Sequence, residues 1–119
     1  MGEALAQPFV KKTLGDEGKA TVVDLGTSKV VSTADAGRDV DSIGYGATLG
    51  HLYVPAGGSA DLSIFAVAAG GKLTLLGKAA TAADAHTVAF DPVSRNLFVG
   101  APARGTVLVI HDSYPSSLQ

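Results

Sequence analysis

The chain has 119 residues, a formal net charge of -2 at pH 7 and 17% charged residues. This length is that of one domain, and the charge excludes the positive field that holds a nucleic-acid backbone. Cysteine is absent, which excludes disulfides, thiolate nucleophiles and zinc–sulfur sites. We therefore expect one domain that does not bind nucleic acid.

A membrane partner is not expected either. The most apolar segment, 62–80, is interrupted by Gly70, Gly71, Lys72 and Lys78, which a lipid core would not accept. The opening residues MGEALAQPFVKK lack the apolar core of a signal peptide. The compartment stays open: cytoplasmic by default, and periplasmic or secreted if the chain belongs to a longer precursor.

Short runs rich in Val, Leu, Ile, Phe and Thr alternate with glycine- and proline-bearing turns. This pattern is typical of antiparallel β-structure. Nine strands are predicted, at 19–25, 28–34, 40–45, 51–55, 61–68, 72–79, 86–90, 96–100 and 105–111. The Ala-rich stretch 79–85 has no helical apolar stripe, so it is predicted to be a loop. The fold class is therefore all-β.

The predicted strands repeat along the chain. HLYVP at 51–55 matches NLFVG at 96–100, an offset of 45 residues, and the same offset places DSIGYG (41–46) on HTVAFD (86–91). One unit earlier, KATVVD (19–24) matches DLSIFA (61–66) with an offset of 42. Four strands per period of this length indicate β-propeller blades, four-stranded sheets that stack face to face.

Two stretches, HTVAFDPVSRNLFVG and DVDSIGYGATLGHLYVPAGG, resemble the repeats of YVTN-type β-propeller proteins. The resemblance rests on Asp91-Pro92 and on the triplets at 52–54 and 97–99; Gly46-Ala47 departs from it where Asp-Pro would stand. It covers about residues 18–112. It implies antiparallel four-stranded blades and a scaffold used for many functions.

The resemblance implies a partial propeller of about two blades plus an extra strand. Such a chain is either a fragment of a larger propeller or a protomer that assembles with copies of itself. In the second case, strand 28–34 of one subunit would complete the blade at 86–112 of another. Residues 1–17 are expected to form an N-terminal arm or the remnant of an incomplete blade, and the tail 113–119 is expected to fray.

Four side chains are candidates for chemistry: Asp39, Asp41, Asp84 and His86. The offset of 45 places Asp39 on Asp84, and Asp41 on His86, at the starts of two innermost strands. Loops there face the funnel of a propeller, so these groups would ligate a divalent cation or act as acid and base. The competing interpretation is that aspartates at turns cap backbone amides and that His86 caps or packs.

Other motifs are assigned to structure. GYGATLG (44–50) imitates a dinucleotide-binding loop, but a strand follows it rather than a helix, so a hairpin turn is predicted. His51 is expected to form a hydrogen bond at a turn, and His111 to lie at the surface. No motif links Ser, His and an acid for nucleophilic catalysis, and no cofactor is indicated.

The leading hypothesis is a non-catalytic β-propeller module that acts as a binding and assembly scaffold. Its partners would be copies of itself, the remaining blades of a larger propeller, or a small-molecule or protein ligand at the funnel loops. The alternative is a propeller enzyme or metal-binding protein whose funnel-face site contains the three aspartates and His86.

Overall fold

The computed structural model describes residues 9–12 and 18–118. Its strands are β1 (Phe9–Lys12), β2 (Lys19–Asp24), β3 (Lys29–Asp35), β4 (Gly44–Gly46), β5 (His51–Ala56), β6 (Asp61–Val67), β7 (Leu73–Ala80), β8 (Val88–Asp91), β9 (Asn96–Ala101) and β10 (Thr106–His111). One 3₁₀ turn, Pro102–Arg104, precedes β10. No helix in this part of the chain is long and apolar enough to span a membrane. The all-β prediction is confirmed.

The strands form three antiparallel sheets in chain order. The first sheet is β1-β2-β3, the second is β4-β5-β6-β7 and the third is β8-β9-β10. Each predicted strand forms, although the one at 40–45 is reduced to a bridge between Val40 and Ala56 followed by β4. β1 is an addition: it lies in the predicted N-terminal arm and pairs with β2. The rest of that arm, 1–8 and 13–17, lies outside the described residues.

Backbone conformations recur at the offset read from the sequence. Left-handed residues stand at Asp39 and Asp84 and, again 45 residues apart, at Gly50 and Arg95. Hydrogen bonds recur in the same way: the amides of Gly50 and Arg95 each donate to the residue four positions earlier, both at 2.8 Å. The second and third sheets are therefore built from the same turns as well as from the same strands.

The sheets stack face to face through apolar clusters. Ala20 and Val22 of the first sheet pack in one cluster with Leu52, Val54 and Phe65 of the second. On the other face of the second sheet, Tyr53, Leu62 and Ile64 pack with Leu97 of the third. The second sheet is thus covered on both faces, which explains why every residue of β5 is buried.

Close packing between the inner strands explains the glycines of the GYG motif. A Cβ added to Gly46 would come within 3.0 Å of the ring of Phe90 and of the Tyr53 hydroxyl. A Cβ on Gly44 would lie 3.1 Å from Val88 of the third sheet. The stretch 44–50 forms a strand and a hairpin turn, as predicted, and its glycines let two sheets approach each other.

The segment after β10 does not fray, contrary to the prediction for 113–119. Residues 112–118 turn back over the second sheet, where the amide of Ser117 donates to the carbonyl of Leu49 at 2.8 Å. Asp112, the first residue of this segment, is fully buried. Hydrogen bonds to the Asp112 carboxylate hold the segment in place. Residue 119 lies outside the described residues.

Strand exchange through residues 28–34 meets an obstacle in this topology. β3, which contains most of that segment, is already paired with β2 in its own sheet. Donating it to another subunit would break the pairing from Lys19↔Asp35 to Asp24↔Lys29. The prediction that this strand completes a neighbour's blade therefore requires the first sheet to open.

Candidate functional site

The segments that lead into β4 and β8 bring two of the four predicted side chains together. His86 Nδ1 lies 3.5 Å from Asp41 Oδ2, and both groups are partly exposed to solvent. The hydroxyl and amide of Ser42 donate to the His86 carbonyl at 2.9 and 3.3 Å, which joins the two segments next to the pair. The offset of 45 had placed these two residues at equivalent positions, and they are neighbours across the two sheets.

Asp39 and Asp84 have a different role in the structure. Both are left-handed, with φ of 59° and 62°, a conformation that Asp tolerates better than most residues. Both bind the backbone of Gly57: the Gly57 amide donates to the Asp39 carbonyl at 3.2 Å, and the Asp84 amide donates to the Gly57 carbonyl at 3.1 Å. The Asp39 bond ties the segment before the second sheet to the turn after β5, and the Asp84 bond ties that turn to the segment before the third sheet.

The Asp41–His86 pair is a partly exposed carboxylate beside a partly exposed imidazole. Such groups can accept and donate hydrogen bonds. Among the residues that the structure describes, no group of three or more His, Cys, Asp or Glu side chains is placed to hold a metal ion. A metal bound at this pair would therefore need ligands from outside the described residues.

A buried polar cluster, not predicted from the sequence, joins the second sheet to the segment after β10. His51 Nδ1 lies 2.6 Å from Asp112 Oδ2, and the Tyr53 hydroxyl donates to the same oxygen at 2.6 Å. The amide of Tyr114 donates to Asp112 Oδ1 at 3.0 Å, and His51 Nε2 lies 3.1 Å from the Pro115 carbonyl. His51 thus bonds across 61 residues rather than at a local turn.

The hydrogen-bond partners determine the charge of this cluster. Burial by itself would raise the pKa of Asp112, but hydrogen bonds from Tyr53, His51 and the Tyr114 amide outweigh it and hold that pKa below its usual value. Burial, followed by the bond to Asp112, raises the pKa of Tyr53. The cluster is a buried carboxylate, hydrogen-bonded to His51 and to the Tyr114 amide, with a neutral tyrosine beside it.

The side chains of His51 and Asp112 are both fully buried, so no substrate reaches them. The position of this pair, between β5 and the segment 112–118, gives it a structural function: it fastens the end of the third sheet to the second. The remaining histidine, His111, is exposed, as predicted, and lies 3.0 Å from Asn96 Oδ1.

The outer face of the third sheet carries exposed apolar side chains on two neighbouring strands. Phe98, Val107 and Val109 are 38%, 61% and 59% exposed, and Phe98 and Val109 are directly paired across β9 and β10. We call these three side chains the open face. Contiguous exposed apolar side chains mark interaction sites more often than isolated ones do.

Comparison with solved structures identifies the fold that the three stacked sheets form. A chain of the crystal structure of the mitotic checkpoint complex matches with a TM-score of 0.72 and 20% identity, over 87% of this chain and 32% of that one. A protein described as a candidate 6-phosphogluconolactonase from Bacteroides fragilis matches with 0.62 and 18% identity, over 79% of this chain and 32% of that one. The chain has a β-propeller-like fold.

The stacking of the three sheets is therefore propeller-like, and the chain spans about a third of the length of either matched structure. No protein-family model matches the chain, and no curated protein matches it. One of the two structures is of a protein complex and the other is described as a candidate enzyme, at identities that show the fold alone. Function has to be argued from the surfaces of this chain.

Proposed function

We propose that this chain is a YVTN-type propeller module that acts as a non-catalytic binding and assembly scaffold, and that the open face is its interface. One observation carries the proposal. Val107 and Val109 are 61% and 59% exposed, whereas their equivalents 45 positions earlier, Leu62 and Ile64, are 0% and 3% exposed. Two equivalent positions of the repeat are therefore buried in the core in the second sheet and exposed at the surface in the third.

The second sheet shows what fits on such a face. Leu62 and Ile64 are covered by Leu97, with Val88 and Ile110 packed around it, all from the next sheet. The ligand of the open face is therefore expected to be the corresponding face of another blade. Burial of apolar surface would drive this association at roughly 25 cal/mol per Å².

A second copy of the chain offers a blade of the right kind. In the first sheet, Ala20 and Val22 point toward the second sheet, so Thr21 and Val23 between and beyond them point away from it. Stacking the face of Thr21 and Val23 on the open face of another copy would continue the order of the sheets from one subunit to the next. Such an interface is head-to-tail, which builds rings or filaments.

Sedimentation velocity over a concentration series tests this function. The wild-type chain is expected to self-associate, and the double variant Val107→Asp/Val109→Asp is expected to associate about tenfold more weakly or worse, because a carboxylate in the interface would lose its water. Val93→Asp is the matched control: Val93 is 91% exposed in the turn 92–95, away from the open face. A wild-type chain that stays monomeric at every concentration would contradict the proposal.

A second candidate function rests on the 3.5 Å contact between Asp41 and His86. In this alternative the pair, with Asp39 and Asp84 in the neighbouring turns, forms part of a funnel-face site for a cation or a small polar ligand. Titration calorimetry with Zn²⁺ or Mn²⁺ on the wild type and on His86→Ala tests it. Equal heats for the two proteins would contradict a site at His86.

A further inference from the structure

Among residues 9–12 and 18–118, the backbone of β10 is paired along one edge, by β9, and we call its other edge the open edge. The amide of Asp112 donates to the carbonyl of Arg95 at 2.9 Å, which makes these two residues a hydrogen-bonded pair of the antiparallel ladder. Pairs of this type alternate, so Ile110 and Leu108 also direct their amides toward β9. The amides and carbonyls of Val107, Val109 and His111 consequently point to the open edge.

The second sheet shows these same backbone groups with a partner. Forty-five positions earlier stand Leu62, Ile64 and Ala66, and β7 pairs with all three. β6 is therefore paired on both sides, by β5 and β7, whereas β10 pairs only with β9 among the strands that the structure describes. The strand of the second sheet that has no described counterpart in the third is β7.

Charge distinguishes β10 from the two strands that close their sheets. β3 carries the exposed Lys29, and β7 carries the exposed Lys78. Lysines on an edge strand oppose pairing with further strands, because they would be desolvated there. Residues 106–111 of β10 contain no Lys, Arg, Asp or Glu. The sequence of β10 is that of an internal strand.

The chemistry of the missing strand can be read from β3 and β7. Both strands carry a β-bulge, one extra residue that has no partner in the neighbouring strand. In β3 the extra residue is Val31, which lies opposite the peptide between Val22 and Val23. In β7 it is Leu76, which lies opposite the peptide between Ile64 and Phe65. Leu76 packs on the cluster of Tyr53, Leu62 and Ile64. Its counterpart in a strand bound to β10 would cover Phe98, Val107 and Val109, the open face.

Within residues 9–12 and 18–118, every strand already belongs to a sheet, so no strand that the structure describes is spare for donation by another copy. We propose that the open edge of β10 is a strand-acceptor site for an extended segment of a partner protein. That segment lies antiparallel to β10, carries a lysine toward solvent and has one apolar residue bulged opposite the step from Val109 to Ile110. The inference rests on the proposed function in that both treat the third sheet as an interface.

Amide hydrogen exchange followed by NMR tests this site with a peptide of the chain's own β7, KLTLLGKAA (residues 72–80). In the chain alone, Leu108 and Ile110 should be protected, while Val107, Val109 and His111 should exchange fast. Excess peptide should slow these three amides by about tenfold or more. The matched control peptide carries Leu76→Asp and should leave all three fast, because the bulged residue would place a charge on the open face.

The outcomes separate this inference from the proposed function. A chain that self-associates while its three outward amides stay fast with the β7 peptide would overturn the strand-acceptor site alone. A chain that stays monomeric and still binds the peptide would overturn the face-stacking function alone. Protection of the three amides on self-association, without peptide, would assign the edge to a second copy and overturn the partner-protein assignment.

Discussion

The second and third sheets share a three-strand unit, yet the second sheet has a core on both faces and the third on one. Leu62 and Ile64 are buried because Leu97 and its neighbours lie over them, whereas Val107 and Val109 have the same position in the unit and face solvent. The comparison shows that in a stacked fold, a strand's apolar residues do not decide their own burial. The next sheet decides it.

A second difference lies at the end of the third strand of each unit. The second sheet has Val67 there, and the third has Asp112, both buried. Asp112 bonds to His51 and Tyr53 of the second sheet, so the third sheet is fastened by charge at a point where the second uses an apolar side chain. Each of these contrasts can be tested by substitutions at equivalent positions.

The largest effect is expected at Asp112. Asp112→Asn removes a buried carboxylate to which His51, Tyr53 and the Tyr114 amide are hydrogen-bonded, and losing such bonds to a charged group costs about 3–5 kcal/mol in total. Urea denaturation measures the loss as a lower free energy of unfolding. The control is Asp24→Asn, a turn carboxylate that accepts from the Gly26 amide at 2.8 Å, where a change within about 0.5 kcal/mol is expected.

Acid pH should reproduce part of the Asp112 effect. The pKa of this carboxyl is lowered by folding, so its contribution to stability is present above the unfolded value, about 3.9, and is lost as the pH falls through the folded value. The wild type should therefore lose stability between about pH 5 and pH 2 more steeply than Asp112→Asn does. Parallel pH profiles for the two proteins would contradict the assignment of the charge to Asp112.

A smaller effect should separate the two faces directly. Leu62→Ala leaves a cavity between the second and third sheets and should cost about 2–5 kcal/mol, whereas Val107→Ala should change the free energy of unfolding of the monomer by less than about 0.5 kcal/mol. Urea denaturation at low protein concentration, where the monomer dominates, measures both. Equal losses would mean that the open face is covered in the free chain, which would contradict the difference in burial between Leu62 and Val107.

Sequence periodicity predicted the strands well, because alternation and turn residues are local signals. It also placed Asp41 and His86 at equivalent positions, and the structure brings them to 3.5 Å. β1 escaped the prediction because its four residues, FVKK, are short and have no partner in the repeat. The His51–Asp112 pair escaped because no local pattern links residues 61 positions apart. The sequence did contain one sign of this pair: Asp112 stands 45 positions after Val67, where the repeat would have an apolar residue.

The smallest difference between two paired variants is expected at Arg95, whose equivalent is Gly50; both are left-handed, with φ of 64° and 70°. A left-handed arginine costs about 1 kcal/mol or more, while its guanidinium donates to the Tyr114 carbonyl, a bond worth about 1.5 kcal/mol or more. Arg95→Gly removes both terms, so the free energy of unfolding should change by less than about 1 kcal/mol. Arg95→Ala keeps the backbone strain and loses the bond, so it should be about 1 kcal/mol less stable than Arg95→Gly. Urea denaturation of the two variants side by side measures this difference, and equal stabilities would show that position 95 carries no strain for Gly to relieve.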